Sequence, residues 1–85
     1  MTRKAWGELK LAQPSATPKY WTGDVPVKDD FGMTIGIEFI DGRTTQGPWA
    51  FMTPASHRAY GVGLGLGRGQ RYKKQNDNRW IKVEG

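Results

Sequence analysis

The sequence predicts a small, mainly β domain of the α+β kind, in which β-hairpins carry one short helix. Three stretches make that prediction. Ile35, Ile37 and Phe39 alternate with Thr34, Gly36 and Glu38, the period of a strand with one apolar face. Thr53, Pro54 and Gly61 bracket a helix of about two turns. Gln70 to Gln75 and Arg79 to Val83 alternate on either side of Asn76-Asp77-Asn78, a turn signal between two strands.

Taken in order, residues 1–28 read as an extended N-terminal arm and residues 29–85 as the domain. Trp6, Leu9 and Leu11 lie among charges, but Gly7 and Gln13-Pro14-Ser15 oppose a stable helix, and Pro14, Pro18 and Pro26 favour extended chain. Tyr20-Trp21 interrupts the arm and is expected to anchor it, either on its own domain or on another protein. After the strand through Phe39, Asp41-Gly42 offers the left-handed dihedrals of a tight hairpin turn. Gly47-Pro48 is a second break, and Trp49-Ala50-Phe51-Met52 follows as the return strand. Thr53 is the expected N-cap, Pro54 fills a helical position that needs no N–H, and Gly61 is the expected left-handed C-terminal residue. Beyond it Val62, Leu64 and Leu66 alternate with glycines, as on a strand whose bare face is covered by a ring such as Trp49 or Trp80; the alternative is a flexible glycine loop. No spacing there matches a phosphate-binding glycine loop.

Size and charge limit the function classes. A chain of 85 residues is one small domain that buries only about 60 to 65% of its unfolded surface. With no cysteine it has neither disulfides nor a thiolate metal site, so core packing or a partner must hold it together. Thirteen Lys and Arg against eight Asp and Glu give a formal charge of +5, which favours an acidic protein surface or nucleic acid as partner. No apolar run is long enough for a membrane span and the N-terminus lacks a signal-peptide core, so a soluble, intracellular protein, or part of an intracellularly assembled particle, is expected.

Two residues separate Asp29 from Gly32, two separate Thr53 from Ser56, and roughly 20 lie between the pairs, at the edge of two-plus-two zinc-ribbon spacing. Around these positions stand Phe39-Ile40-Asp41-Gly42, Gly47-Pro48-Trp49, His57, Gly61 to Tyr72 and Trp80 to Gly85. In these segments, over about the last two thirds of the chain, the sequence resembles the small zinc-ribbon-like (rubredoxin-like) proteins of bacteriophages and bacteria. The resemblance implies a ribbon of β-hairpins and a phage setting. It also implies that Asp29, Gly32, Thr53 and Ser56 stand at the four knuckle positions that carry cysteine in the family. Gly32 offers no ligand and the two hydroxyls are weak neutral donors, so a metal-free ribbon without cofactor is expected, held by packing and by bonds from Thr53 and Ser56.

No catalytic set is legible. His57 is the only histidine and reads as a surface or capping residue, and adjacent Asp29 and Asp30 point apart on extended chain. The chemistry-bearing cluster is C-terminal: Arg68, Arg71, Lys73, Lys74 and Arg79 around Tyr72 and Trp80. It suits docking on an acidic protein surface, with Tyr20-Trp21 as a further anchor, in a non-catalytic structural role such as a virion component. The alternative is a nucleic-acid-binding module in which the cations neutralise phosphate and the rings stack on bases.

Overall fold

The computed structural model describes residues 18–85. They form a four-stranded antiparallel sheet and one short helix, in the order β1 (Glu38–Arg43), β2 (Trp49–Met52), α1 (Pro54–Tyr60), β3 (Gly69–Lys74) and β4 (Trp80–Glu84). The strands lie side by side as β2-β1-β3-β4. The mainly β, α+β architecture and the second hairpin are those the sequence predicts. The β3-β4 turn runs through Asn76-Asp77-Asn78, where Asn78 takes the left-handed φ of 69°.

The first hairpin is built differently. Asp41-Gly42 is not a turn: Asp41 pairs with Phe51 on one side and Gln70 on the other, and Gly42 with Ala50 and Gly69. The chain reverses instead at Thr44 to Gly47, where the Gly47 N–H reaches the Thr44 carbonyl at 2.9 Å and Gly47 has φ 109°. Glycine at position 42 answers a packing need. A Cβ there would stand 3.0 Å from the Arg68 carbonyl oxygen and 3.2 Å from Met52 Cε. The alternation at Ile35 and Ile37 also lies outside the strand, and Ile37 is largely exposed.

The register divides the sheet into two faces. Phe39, Phe51, Tyr72 and Trp80 share one, and Trp21 lies across it, with edge-on contacts to Phe39, Phe51 and Tyr72 at 5.2 to 5.4 Å between centroids. Ile40 and Met52 point to the other face, which α1 covers. Phe39, Ile40 and Met52 are the fully buried core.

The arm is joined to the outer side of β4. The Lys82 N–H donates to the Lys19 carbonyl at 2.8 Å and the Trp21 N–H to the Trp80 carbonyl at 2.9 Å, so residues 19–21 cover an edge that would otherwise offer free backbone groups. The expectations for Trp6, Leu9, Leu11 and Pro14 lie outside the described residues.

The glycine-rich stretch is an ordered loop, not a strand. Gly63, Gly65 and Gly67 take φ of 107°, 118° and 76°, a conformation closed to side chains and incompatible with the alternating strand. Leu66 stands 97% exposed at its tip. Among the described residues, no tryptophan lies against the glycines. Arg68 folds back over Gly65, and Gly69 lies against the Gly63 carbonyl and the Gly42 Cα.

Gly61 ends the helix with φ −82° and ψ 171°, extended backbone and not the left-handed cap expected. Glycine is required there for space, because a Cβ would collide with the His57 ring and stand 2.8 Å from the His57 carbonyl oxygen. His57 Nε2, 2.9 Å from the Gly63 carbonyl oxygen, donates to it and fastens the loop to the helix. His57 is thus a half-buried brace and not a surface residue. Gly61→Ala is expected to lower stability by about 1 to 3 kcal/mol through overpacking, read as a fall in thermal midpoint; an unchanged midpoint would mean the loop moves aside freely.

Candidate functional site

The two turns at Asp29–Gly32 and Thr53–Ser56 lie side by side, and Asp29 is the group that joins them. Its side chain is buried, with the residue only 5% exposed. Oδ1 accepts the N–H groups of Phe31 and Met33, both at 2.9 Å, and Oδ2 accepts the Thr53 N–H at 2.8 Å. The Ser56 hydroxyl also favours the ionised form of this carboxylate. Within the second turn, the Thr53 hydroxyl donates to Ser56 Oγ and the Ser56 N–H to Thr53 Oγ1, both at 3.2 Å. Gly32 closes the first turn through its N–H to the Asp29 carbonyl at 3.1 Å.

The sequence reading assigned this holding role to the Thr53 and Ser56 hydroxyls; the larger share belongs to the Asp29 carboxylate. The reason is charge: an ionised carboxylate accepts several N–H groups more strongly than a neutral hydroxyl does. Burial pulls the Asp29 carboxyl upward, but the bonds from Ser56, Thr53, Met33 and Phe31 outweigh it and hold its pKa at about 2. These residues do not fit a metal ion. Both Asp29 oxygens face N–H donors, the hydroxyls are tied to one another, and Gly32 has no side chain. Among the described residues, no three His, Cys, Asp or Glu side chains converge on one point.

Asp30 turns away from Asp29 to the outer side of β2. Its Oδ2 accepts the Phe51 N–H at 2.8 Å and its own N–H donates to the Phe51 carbonyl at 3.0 Å.

The basic and aromatic residues of the C-terminal hairpin do not form one free patch. Arg71 pairs with Glu84 and lies 3.8 Å from Glu38. Arg79 is held by Asp77 at 2.8 Å and lies over the Tyr20 ring at 4.2 Å. Arg68 folds over Gly65, away from the hairpin tip. Tyr72 stacks on Phe39 at 5.2 Å, and Trp80 meets Phe39 edge-on at 5.1 Å while Lys74 lies 5.8 Å above its ring. Among the described residues, Lys73 and Lys74 are exposed and have no carboxylate within ion-pair distance. Tyr20 and Trp21, named as anchors, pack on the domain itself.

A feature that sequence reasoning missed lies at the other corner of the sheet. Phe31, Trp49 and Tyr60 are 40%, 46% and 45% exposed and face a common groove. The one available signal was that Phe31 and Tyr60 fall outside the apolar periods of the elements they adjoin.

No family model, curated protein or solved structure matches this chain.

Proposed function

We propose that this is a non-catalytic structural or interaction protein that docks on an acidic partner surface through the tip of its C-terminal hairpin. The observation that carries the reading is the division of the basic residues. Arg71 and Arg79 serve internal ion pairs, whereas Lys73 and Lys74 are exposed at the end of β3 and form no ion pair among the described residues, although Glu38 is the cross-strand partner of Lys73. In this reading Trp21 belongs to the scaffold and not to the docking surface, because it is packed among three rings. The virion setting and a ribbon-like descent form part of the same proposal and rest on the sequence resemblance. The paired turns joined by Asp29 are consistent with that descent.

The nucleic-acid alternative has less support. Tyr72 and Trp80, which were to stack on bases, are engaged with Phe39. Two measurements decide between the readings. Immobilised poly-L-glutamate at low salt is expected to retain the protein and to release the Lys73→Glu, Lys74→Glu double variant; equal retention of both would overturn the hairpin assignment. Gel shifts on short DNA and RNA are expected to show no complex at low salt. A complex lost steeply as salt rises would assign the lysines to phosphate. Absence of the protein from purified phage particles would remove the virion setting alone.

A further inference from the structure

Most aromatic rings of the described chain close one face of the sheet, yet three remain half in water around a single groove. Phe31 and Tyr60 are stacked with centroids 4.3 Å apart and planes 15° apart. With Pro48 and Trp49 they wall a cavity of about 410 Å³ whose charged lining residue is Asp30. Asp30 Oδ2 holds the Phe51 N–H, while Oδ1 has no donor among the described residues.

The chemistry of this lining selects a class of occupant. Aromatic faces carry negative charge density and attract cations, and a carboxylate at the rim adds a full charge of the same sign. A planar guanidinium satisfies both, since it lies flat on a ring and directs an N–H fork at a carboxylate. Addition of a partner strand is blocked at this position, because Asp30 already occupies the N–H and carbonyl of Phe51 on the outer side of β2. The groove therefore takes a side chain and not a strand. A second copy is a poor occupant, as each copy brings a further charge of +5.

We propose that the groove formed by Phe31, Trp49 and Tyr60 around Asp30 receives an arginine side chain of a partner protein. This contact is separate from the lysine tip, which lies at the opposite end of β1 from the strand pair Arg43 and Trp49. One interface could use both only by spanning the sheet diagonally.

The test is a titration of the 15N-labelled full chain with the blocked peptide acetyl-Gly-Arg-Gly-amide, following the Trp49 indole N–H assigned by its loss in Trp49→Phe. Saturable movement of that resonance is expected, with no movement for the Glu analogue of the peptide. Asp30→Asn, which retains an acceptor for Phe51, is expected to weaken binding about fivefold or more. Tyr60→Leu leaves the carboxylate in place and is expected to weaken it as well. The proposal is overturned by no movement with the arginine peptide, by equal movement with the glutamate peptide, or by unchanged affinity in both variants. Two other occupants have their own signatures, and either would also overturn it. Movement of the indole with protein concentration alone marks a second copy, and movement on deletion of residues 1–17 marks the chain's own terminal segment.

Discussion

Replacing Asp29 by alanine is expected to destabilise the protein by about 3 kcal/mol or more, enough to unfold a large fraction of so small a domain at room temperature. One carboxylate receives three backbone N–H groups, and its removal leaves these donors facing one another with no acceptor. The loss is largest at the Thr53 N–H, which is buried and whose bond is the direct tie between the two turns. Asp29→Asn should be milder but still harmful, since an amide nitrogen must then face at least one N–H or O–H donor. Urea titration of the three proteins measures the series. A change below about 1 kcal/mol for Asp29→Ala would mean that the turns are held by something other than this carboxylate.

The same bonds give a pH dependence whose sign is fixed. Because the Asp29 carboxyl is held at about 2 in the folded protein, below its ordinary value near 4, its contribution to stability is complete above that ordinary value. It is lost as pH falls through about 2. Asp41 acts in the opposite sense: burial raises its pKa, so acid relieves an unfavourable charge there as it removes a favourable one at Asp29. Comparison of wild type with Asp29→Asn isolates the first effect. The variant should lose less stability than wild type between pH 4 and pH 2, and parallel curves would assign acid sensitivity to other groups.

Asp29 also shows which parts of this structure are legible in sequence. The equal spacing of the two turn pairs placed Asp29 near Thr53 and Ser56, because spacing constrains where turns recur on a hairpin scaffold. Spacing carried no information on which side chain would hold them. The second hairpin was readable because all its signals are local: alternation, an Asn-Asp-Asn turn, and alternation again. Asp41-Gly42 misled for the opposite reason. Its local preference for a turn is real, but β1 is a central strand paired on both sides, and Arg68, Ile40 and Met52 crowd the position that a Cβ would take at Gly42. Gly61 misled in the same way, as a close approach to His57 looks identical in sequence to a left-handed cap. The groove was not legible at all. Phe31, Trp49 and Tyr60 come from a turn, a strand and a helix end, and only the tertiary fold brings them together.

Phe39→Ala is expected to cost about 3 to 5 kcal/mol and to release the arm before the rest of the sheet melts. Phe39 is fully buried, and its ring touches Trp21, Phe51, Tyr72 and Trp80 with centroids 5.1 to 5.4 Å away. These neighbours come from every strand of the sheet but β1 and from the arm, so the ring is a support common to all of them, beside the contacts that Trp21 makes with Phe51 and Tyr72. Truncation leaves a void between large, stiff rings that cannot collapse into it without leaving their strands. Trp21 has the least backbone pairing of the four and should detach first, uncovering the outer edge of β4. Tryptic cleavage after Lys19 reports that step directly, and urea titration reports the global loss. Rapid cleavage of Phe39→Ala at Lys19 under conditions where its sheet remains folded is the expected result, with wild type resistant. If the variant unfolds in one step with the arm, Trp21 is integral to the core, and the boundary between arm and domain belongs before residue 19 and not after residue 28.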